Sequence, residues 1–98
     1  MSDCKHTIAI VEPRQHKHLD ATIRNALDYS SDAWCVQVFH GRSARLDALP
    51  DARDRLSYHA LDTDNLTAKQ YNALLLSPEF WDRIKYTNKV LIMQTDSA

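Results

Sequence analysis

Apolar residues change their period along the chain, and the order of those changes outlines a fold. Ile8-Ala9-Ile10-Val11 is a continuous apolar run ended by Glu12-Pro13, the composition of a strand buried on both faces. Leu19, Ile23, Ala26 and Leu27 then fall on one helical stripe, with Asp20, Arg24 and Asp28 at i,i+4 spacing on the outer side. Trp34–Phe39 returns to strand composition and stops at His40-Gly41, and Ser43–Leu49 fits a short helix closed by Pro50. Leu56–Leu61 is a weaker strand, with Leu56, Tyr58 and Ala60 alternating against Ser57 and His59. Thr67 and Gln70 form a capping box, and Leu66 with Tyr71 takes the hydrophobic-staple positions. Ser77-Pro78 supplies a second start, serine as cap and proline at the first helical position, with Leu76 set against Trp81. Two consecutive helices, Thr67–Leu76 and Pro78–Ile84, are therefore expected, then a last strand at Lys89–Met93 followed by Gln94-Thr95-Asp96-Ser97.

The resulting order, β-α-β-α-β-α-β, predicts an α/β, Rossmann-like fold: a mainly parallel four-stranded sheet with right-handed crossovers and helices on both faces. The 98 residues allow one small domain. It is expected over residues 6–98, behind a polar leader at 1–5 that reads as disordered. Hydrophobic residues make up 44% and charged residues 26% of the chain, which excludes wholesale disorder. Gly41 is the one glycine, so both G-x-G-x-x-G and G-x-x-x-x-G-K-[ST] phosphate loops are absent. Twelve Lys+Arg are scattered against thirteen Asp+Glu, with no basic stripe, and a nucleic-acid partner is not expected. No apolar run exceeds four residues, which argues against a signal peptide or membrane span and makes the cytoplasm the default location. Cys4 in the polar leader and Cys35 in an apolar run do not suggest a disulfide framework; Cys35 reads as a buried, inert hydrophobe.

Ligands of doubly wound sheets bind beyond the carboxyl ends of the strands, where strand order reverses. With the order 3-2-1-4, that crevice lies between the first and fourth strands. Glu12-Pro13-Arg14 and Gln94–Ser97 converge on it, flanked by His40-Gly41 and Asp62–Asn65. The same order leaves the apolar fourth strand at an edge, which natural proteins normally protect. Either a second chain pairs with it, as a homodimer or edge-strand partner, or these residues are the front part of a larger domain.

Several fragments in order carry a family resemblance. They are Ile10–Arg14, Ile23-Arg24-Asn25, Val38–Gly41, Asp64–Thr67, Tyr71-Asn72-x-Leu74-Leu75-x-Ser77, Phe80-Trp81 and Val90–Ser97. Together, from about His6 to Ser97, the chain resembles an uncharacterised glycosyltransferase-like domain family of fungi, protists and large viruses, grouped with the GT-A fold. The resemblance implies the nucleotide-sugar-binding half of a transferase that moves a sugar to an unknown acceptor. Similar proteins continue past the Gln-Thr-Asp-Ser segment, so the resemblance implies a truncated member, inactive by itself. GT-A enzymes commonly place an Asp-x-Asp after the fourth strand to hold a divalent cation, Mn or Mg, that bridges the diphosphate. Asp96 stands at that position, but Gln94 and Ala98 supply no second carboxylate.

Candidate donor-site residues are Glu12, Arg14, His40, Asp62, Asp64 and Asn72, with Asp96 as the metal ligand. Glu12 and Arg14 fit a ribose hydroxyl and a phosphate, or a surface ion pair. His40 fits a base contact or a structural histidine, and Asp62 and Asp64 fit base or ribose contacts or plain turn formers. Asn72 is placed to face the crevice; Tyr71, Phe80 and Trp81 read as core, and His16-x-His18 as solvated. The competing reading is a non-catalytic α/β binding or assembly module that pairs through its apolar edge strand.

Overall fold

The computed structural model describes residues 4–13, 18–42, 49, 55–64 and 66–93. Four strands, β1 (His6–Glu12), β2 (Trp34–His40), β3 (Leu56–Ala60) and β4 (Val90–Met93), form one sheet in the order β3-β2-β1-β4. Every neighbouring pair is parallel. Three helices, α1 (Leu19–Tyr29), α2 (Ala68–Leu75) and α3 (Pro78–Asp82), complete the described elements. This is the expected α/β architecture with its expected strand order. The expected helix at Ser43–Leu49 falls almost wholly outside the described residues.

Alternation along the strands divides the core in two. Ile8, Ile10, Val36, Val38 and Leu56 pack with Leu19, Ile23 and Ala26 of α1. Ala9, Val11 and Phe39 point to the opposite face, where Phe80 and Ile84 close over them. Central strands sandwiched in this way need apolar side chains on both faces, which explains the continuous run Ile8–Val11. Trp81 departs from its expected core position: it is 39% exposed, and its indole N–H donates to the Leu75 carbonyl at 2.6 Å. Leu76 is exposed too, so no buried staple forms at α3. Phe80 alone fills the core there, because a helix this short turns only one side chain squarely onto the sheet.

Two polar side chains lie completely inside the α2/α3 face and shape the topology. Thr7 Oγ1 donates to the Tyr86 carbonyl at 2.7 Å and accepts the Tyr86 N–H at 3.2 Å. Gln37 Oε1 accepts the Lys85 N–H at 2.8 Å, while its Nε2 donates to the Arg83 carbonyl at 2.8 Å. Arg83 and Ile84 close the last turn of α3, and beyond it the backbone of residues 85–86 lies outside any helix or strand and needs partners where it is set against the sheet. β1 and β2 supply those partners. The connection thereby crosses the sheet from the β3 side and delivers β4 to the far side of β1.

Cys35 is buried, as expected, but the two cysteines do not stay apart. Cys4 and Cys35 form a disulfide, with Cα atoms 5.6 Å apart, that anchors the residues before β1 to the start of β2. Lys5 N–H also donates to the Ala33 carbonyl at 2.7 Å, so Cys4 and Lys5 are tied to the residues at the start of β2. The pairing was invisible in the sequence because it joins residues brought adjacent only by parallel β1–β2 pairing. Such bonds persist in oxidising compartments and are rare in the cytosol, which weighs against the default drawn from composition. Among the described residues, no helix is long and apolar enough to cross a membrane.

Arg55 performs a second long-range task. α1 carries no basic residue in its last turn. The Arg55 guanidinium reaches it from just before β3, donating to the Ser30 hydroxyl at 2.6 Å and the Ser31 carbonyl at 2.9 Å, while Nε donates to Trp34 O at 2.9 Å. A cation at a helix C-terminus complements its dipole and its unpaired carbonyls.

Two outcomes check these assignments. Thr7→Val removes the buried hydroxyl that bonds both the N–H and the C=O of Tyr86, so urea unfolding should show a loss of about 1–3 kcal/mol. Replacing both Cys4 and Cys35 by alanine should lower stability by about 3 kcal/mol under oxidising conditions, from the loop-closure entropy restored to the unfolded chain. The unmutated chain should show a comparable loss on reduction.

Candidate functional site

The chain winds outward from β1 through β2 to β3 and then returns to the opposite side of β1, so strand order reverses between β1 and β4. The carboxyl ends of the strands at and beside that reversal carry Glu12-Pro13, His40-Gly41 and, beyond β3, Leu61–Asp64. Register partners in neighbouring strands put side chains on the same face. Glu12, His40 and Ala60 are such partners, and they continue the even-numbered rows that face α1. Glu12 is 4% exposed and His40 is 8% exposed, an unusual depth for two ionisable groups at the end of a sheet.

His40 has a defined tautomer. Its Nδ1 lies 2.8 Å from the Gly41 carbonyl, and a carbonyl can only accept, so Nδ1 carries the proton. In the neutral ring, Nε2 is then the acceptor. The Tyr58 ring, 6.3 Å away between centroids, flanks the imidazole. The positive end of the α1 dipole is also turned to this end of the sheet, since α1 begins after the loop that leaves β1. His18 at its N-cap makes no side-chain capping bond.

Gly41 explains why this glycine is retained in a chain that has no other. A Cβ built on it would run into the Pro13 carbonyl and stand 3.0 Å from Asp64 Oδ1. Its φ is not positive, so the requirement is space and not backbone freedom. The loops leaving β1, β2 and β3 meet there, and Arg42 N–H adds a bond to the Thr63 carbonyl at 3.3 Å.

The structure thus brings Glu12, His40 and Asp64 to one end of the sheet about Gly41. Asp62 turns elsewhere: with Glu79 and Arg83 it lines a cleft of about 260 Å³ between the post-β3 loop and α3, floored by Leu61 and Phe80. Asn72 sits on the exposed face of α2, while Tyr71, Leu74 and Leu75 of that helix pack on the core. Arg14 and Asp96 lie outside the described residues. Among the described residues, no group of three or more His, Cys, Asp or Glu side chains could hold a metal ion.

Sequence reasoning passed over a Ser–His contact. Ser57 Oγ is 2.9 Å from His59 Nε2, the spacing of a nucleophile and its base. The same nitrogen, however, is 3.1 Å from Gln37 Nε2, an amide donor that already occupies its lone pair. The pair is therefore structural. Alternation in a weak strand gave no signal of it, since Gln37 belongs to the neighbouring strand.

Among known proteins, a family model described as a protein of unknown function, DUF5672, matches residues 55–98. That span runs from β3 through β4 and includes Asp62, Asp64, Asn72 and Asp96, but not Glu12, Arg14, His40 or Gly41. No curated protein and no solved structure matches the chain. The matched family carries no activity in its description, so the glycosyltransferase resemblance stands as an expectation.

Gly41→Ala should be destabilising by about 1–3 kcal/mol, the usual range for overpacking, and Gly41→Val by more. Chemical denaturation measures both. Because the clash is with the Pro13 carbonyl, the damage should centre on the loops at this end of the sheet, read as lost amide protection at Arg42.

Proposed function

We propose that the chain is the donor-binding portion of a glycosyltransferase, holding a nucleotide-sugar at the carboxyl end of the sheet. The observation that carries this reading is the meeting of three strand-end loops about Gly41 beside a buried, tautomer-fixed His40 and a buried Glu12. Crevices of this position are where doubly wound sheets bind nucleotides. With no glycine-rich loop, phosphate recognition through wrapped backbone amides is excluded. Recognition falls to side chains: His40, with Nδ1 bonded to the Gly41 carbonyl, turns Nε2 to a ribose or base, and Glu12 and Asp64 offer carboxylates for hydroxyl groups.

In the reaction itself, the bond from the anomeric carbon to the diphosphate breaks and one to an acceptor hydroxyl forms, whose proton must leave to a base. None of the described residues is assigned as that base, and the chain by itself is not proposed to be active. A divalent cation held by Asp96 belongs to the resemblance. The described residues offer no set of ligands for one, and no step is routed through it.

One observation favours a second reading, a non-catalytic module that pairs through its edge. β4 bonds to β1, and its Leu91 is 49% exposed. An apolar edge strand is a template for another chain.

Thermal unfolding with nucleoside diphosphates and their sugar conjugates separates the two. Under the first reading, saturation at about 100 times Kd stabilises by about 2.7 kcal/mol, and His40→Ala abolishes most of the shift. An unchanged midpoint with every nucleotide rules out donor binding. Sedimentation that shows a concentration-dependent dimer, lost in Leu91→Lys, would favour edge pairing.

A further inference from the structure

We propose that His59 is a proton-operated latch on the connection between α3 and β4, holding residues 83–86 against the sheet when neutral and releasing them when protonated. The argument begins with the orientation of the Gln37 amide. Its Oε1 accepts the Lys85 N–H and its Nε2 donates to the Arg83 carbonyl, both at 2.8 Å. These backbone groups are of opposite character, so the amide cannot be turned over without losing both bonds. The second Nε2 hydrogen is then directed at His59 Nε2, 3.1 Å away. His59 must meet it with a lone pair, which requires the neutral ring with its proton on Nδ1.

Protonation puts an N–H on that nitrogen, facing the N–H of Gln37. Ser57 Oγ, at 2.9 Å, can accept from the new donor, but Gln37 cannot. Among the described residues, the charged and titratable groups that bear on the ring are Arg83 and Lys85 from the connection and His40 from β2. On its flank the ring stacks on Phe39 at 5.1 Å between centroids, and the Arg83 guanidinium lies 5.3 Å from the same Phe39 ring. A positive charge at His59 therefore repels the side-chain cations of Arg83 and Lys85, the two residues whose backbone Gln37 holds. Desolvation first, then these cations, push the His59 pKa below its ordinary value.

The direction of the effect follows. The folded state binds a proton on His59 less readily than the unfolded chain, so the contribution to stability is complete above the ordinary value of about 6.5. It is lost as pH falls through the lower folded value. The loosened element is the one that delivers β4, one wall of the crevice, so acid would be felt at the reversal point as well.

Amide hydrogen exchange resolved at Lys85 and Tyr86, corrected for intrinsic rates, tests the latch alongside an NMR titration of the His59 ring. Between about pH 7.5 and about pH 5, Lys85 protection should fall by roughly tenfold or more, in step with His59. His59→Gln offers an uncharged acceptor to Gln37, and should keep Lys85 protected at both values. Lys85 protection that stays constant while His59 titrates would overturn the proposal, and so would an equal acid loss in His59→Gln. Should that variant not fold, the wild-type comparison decides alone: a His59 midpoint at or above the ordinary value, or exchange uncoupled from it, sinks the latch.

Discussion

The topology rests on two buried polar side chains in the central strands. Thr7 of β1 and Gln37 of β2 lie buried on the α2/α3 face, and each gives both a donor and an acceptor to the backbone of residues 83–86. Without them, the connection from α3 would cross an apolar surface with its N–H and C=O groups unpaired, each costing about 1–3 kcal/mol. With them, it is fixed across β2 and β1, and β4 can add beyond β1. The reversal of strand order follows from that crossing.

Other long-range ties tighten the frame around it. The Cys4–Cys35 disulfide joins β1 and β2 at their starts, and Arg55 closes the C-terminal end of α1 from the approach to β3. These devices sit at the amino end of the sheet. The carboxyl end is held differently, by close backbone approach at Gly41. Rigidity at one end and converging loops at the other is the usual division of labour between a scaffold and the loops that carry function.

The scarcity of glycine has a sharper meaning in this light. It excludes a phosphate-wrapping loop, and the single glycine is used where three loops crowd together. Chemistry at this end must come from side chains, and those at hand are a histidine whose Nδ1 is committed to the Gly41 carbonyl and buried or loop carboxylates. Such a set suits hydrogen bonding to hydroxyls and a base better than it suits direct contact with a diphosphate, whose negative charge these carboxylates would repel.

What the sequence determined by itself is local. The apolar runs Ile8–Val11 and Trp34–Phe39, the stripe Leu19-Ile23-Ala26, and the Thr67–Gln70 capping box were legible because their partners lie within one strand or one helical turn. Their alternation sufficed for the fold class, and the strand order expected from it is the one observed, with Glu12, His40 and Asp64 at the carboxyl ends of the strands. Tertiary structure decided the rest. Thr7 meets Tyr86 across 79 positions, Gln37 meets Lys85 across 48, and Cys4 meets Cys35 across 31. Partners so far apart leave no periodic trace, so the disulfide was missed and two strand residues of ordinary appearance gave no hint that they hold the crossover. Asp62 and Asp64, two positions apart, went to different places for the same reason. A turn residue's direction is set by what packs against it, Gly41 for one and the α3 cleft for the other, and only the folded chain brings those partners near.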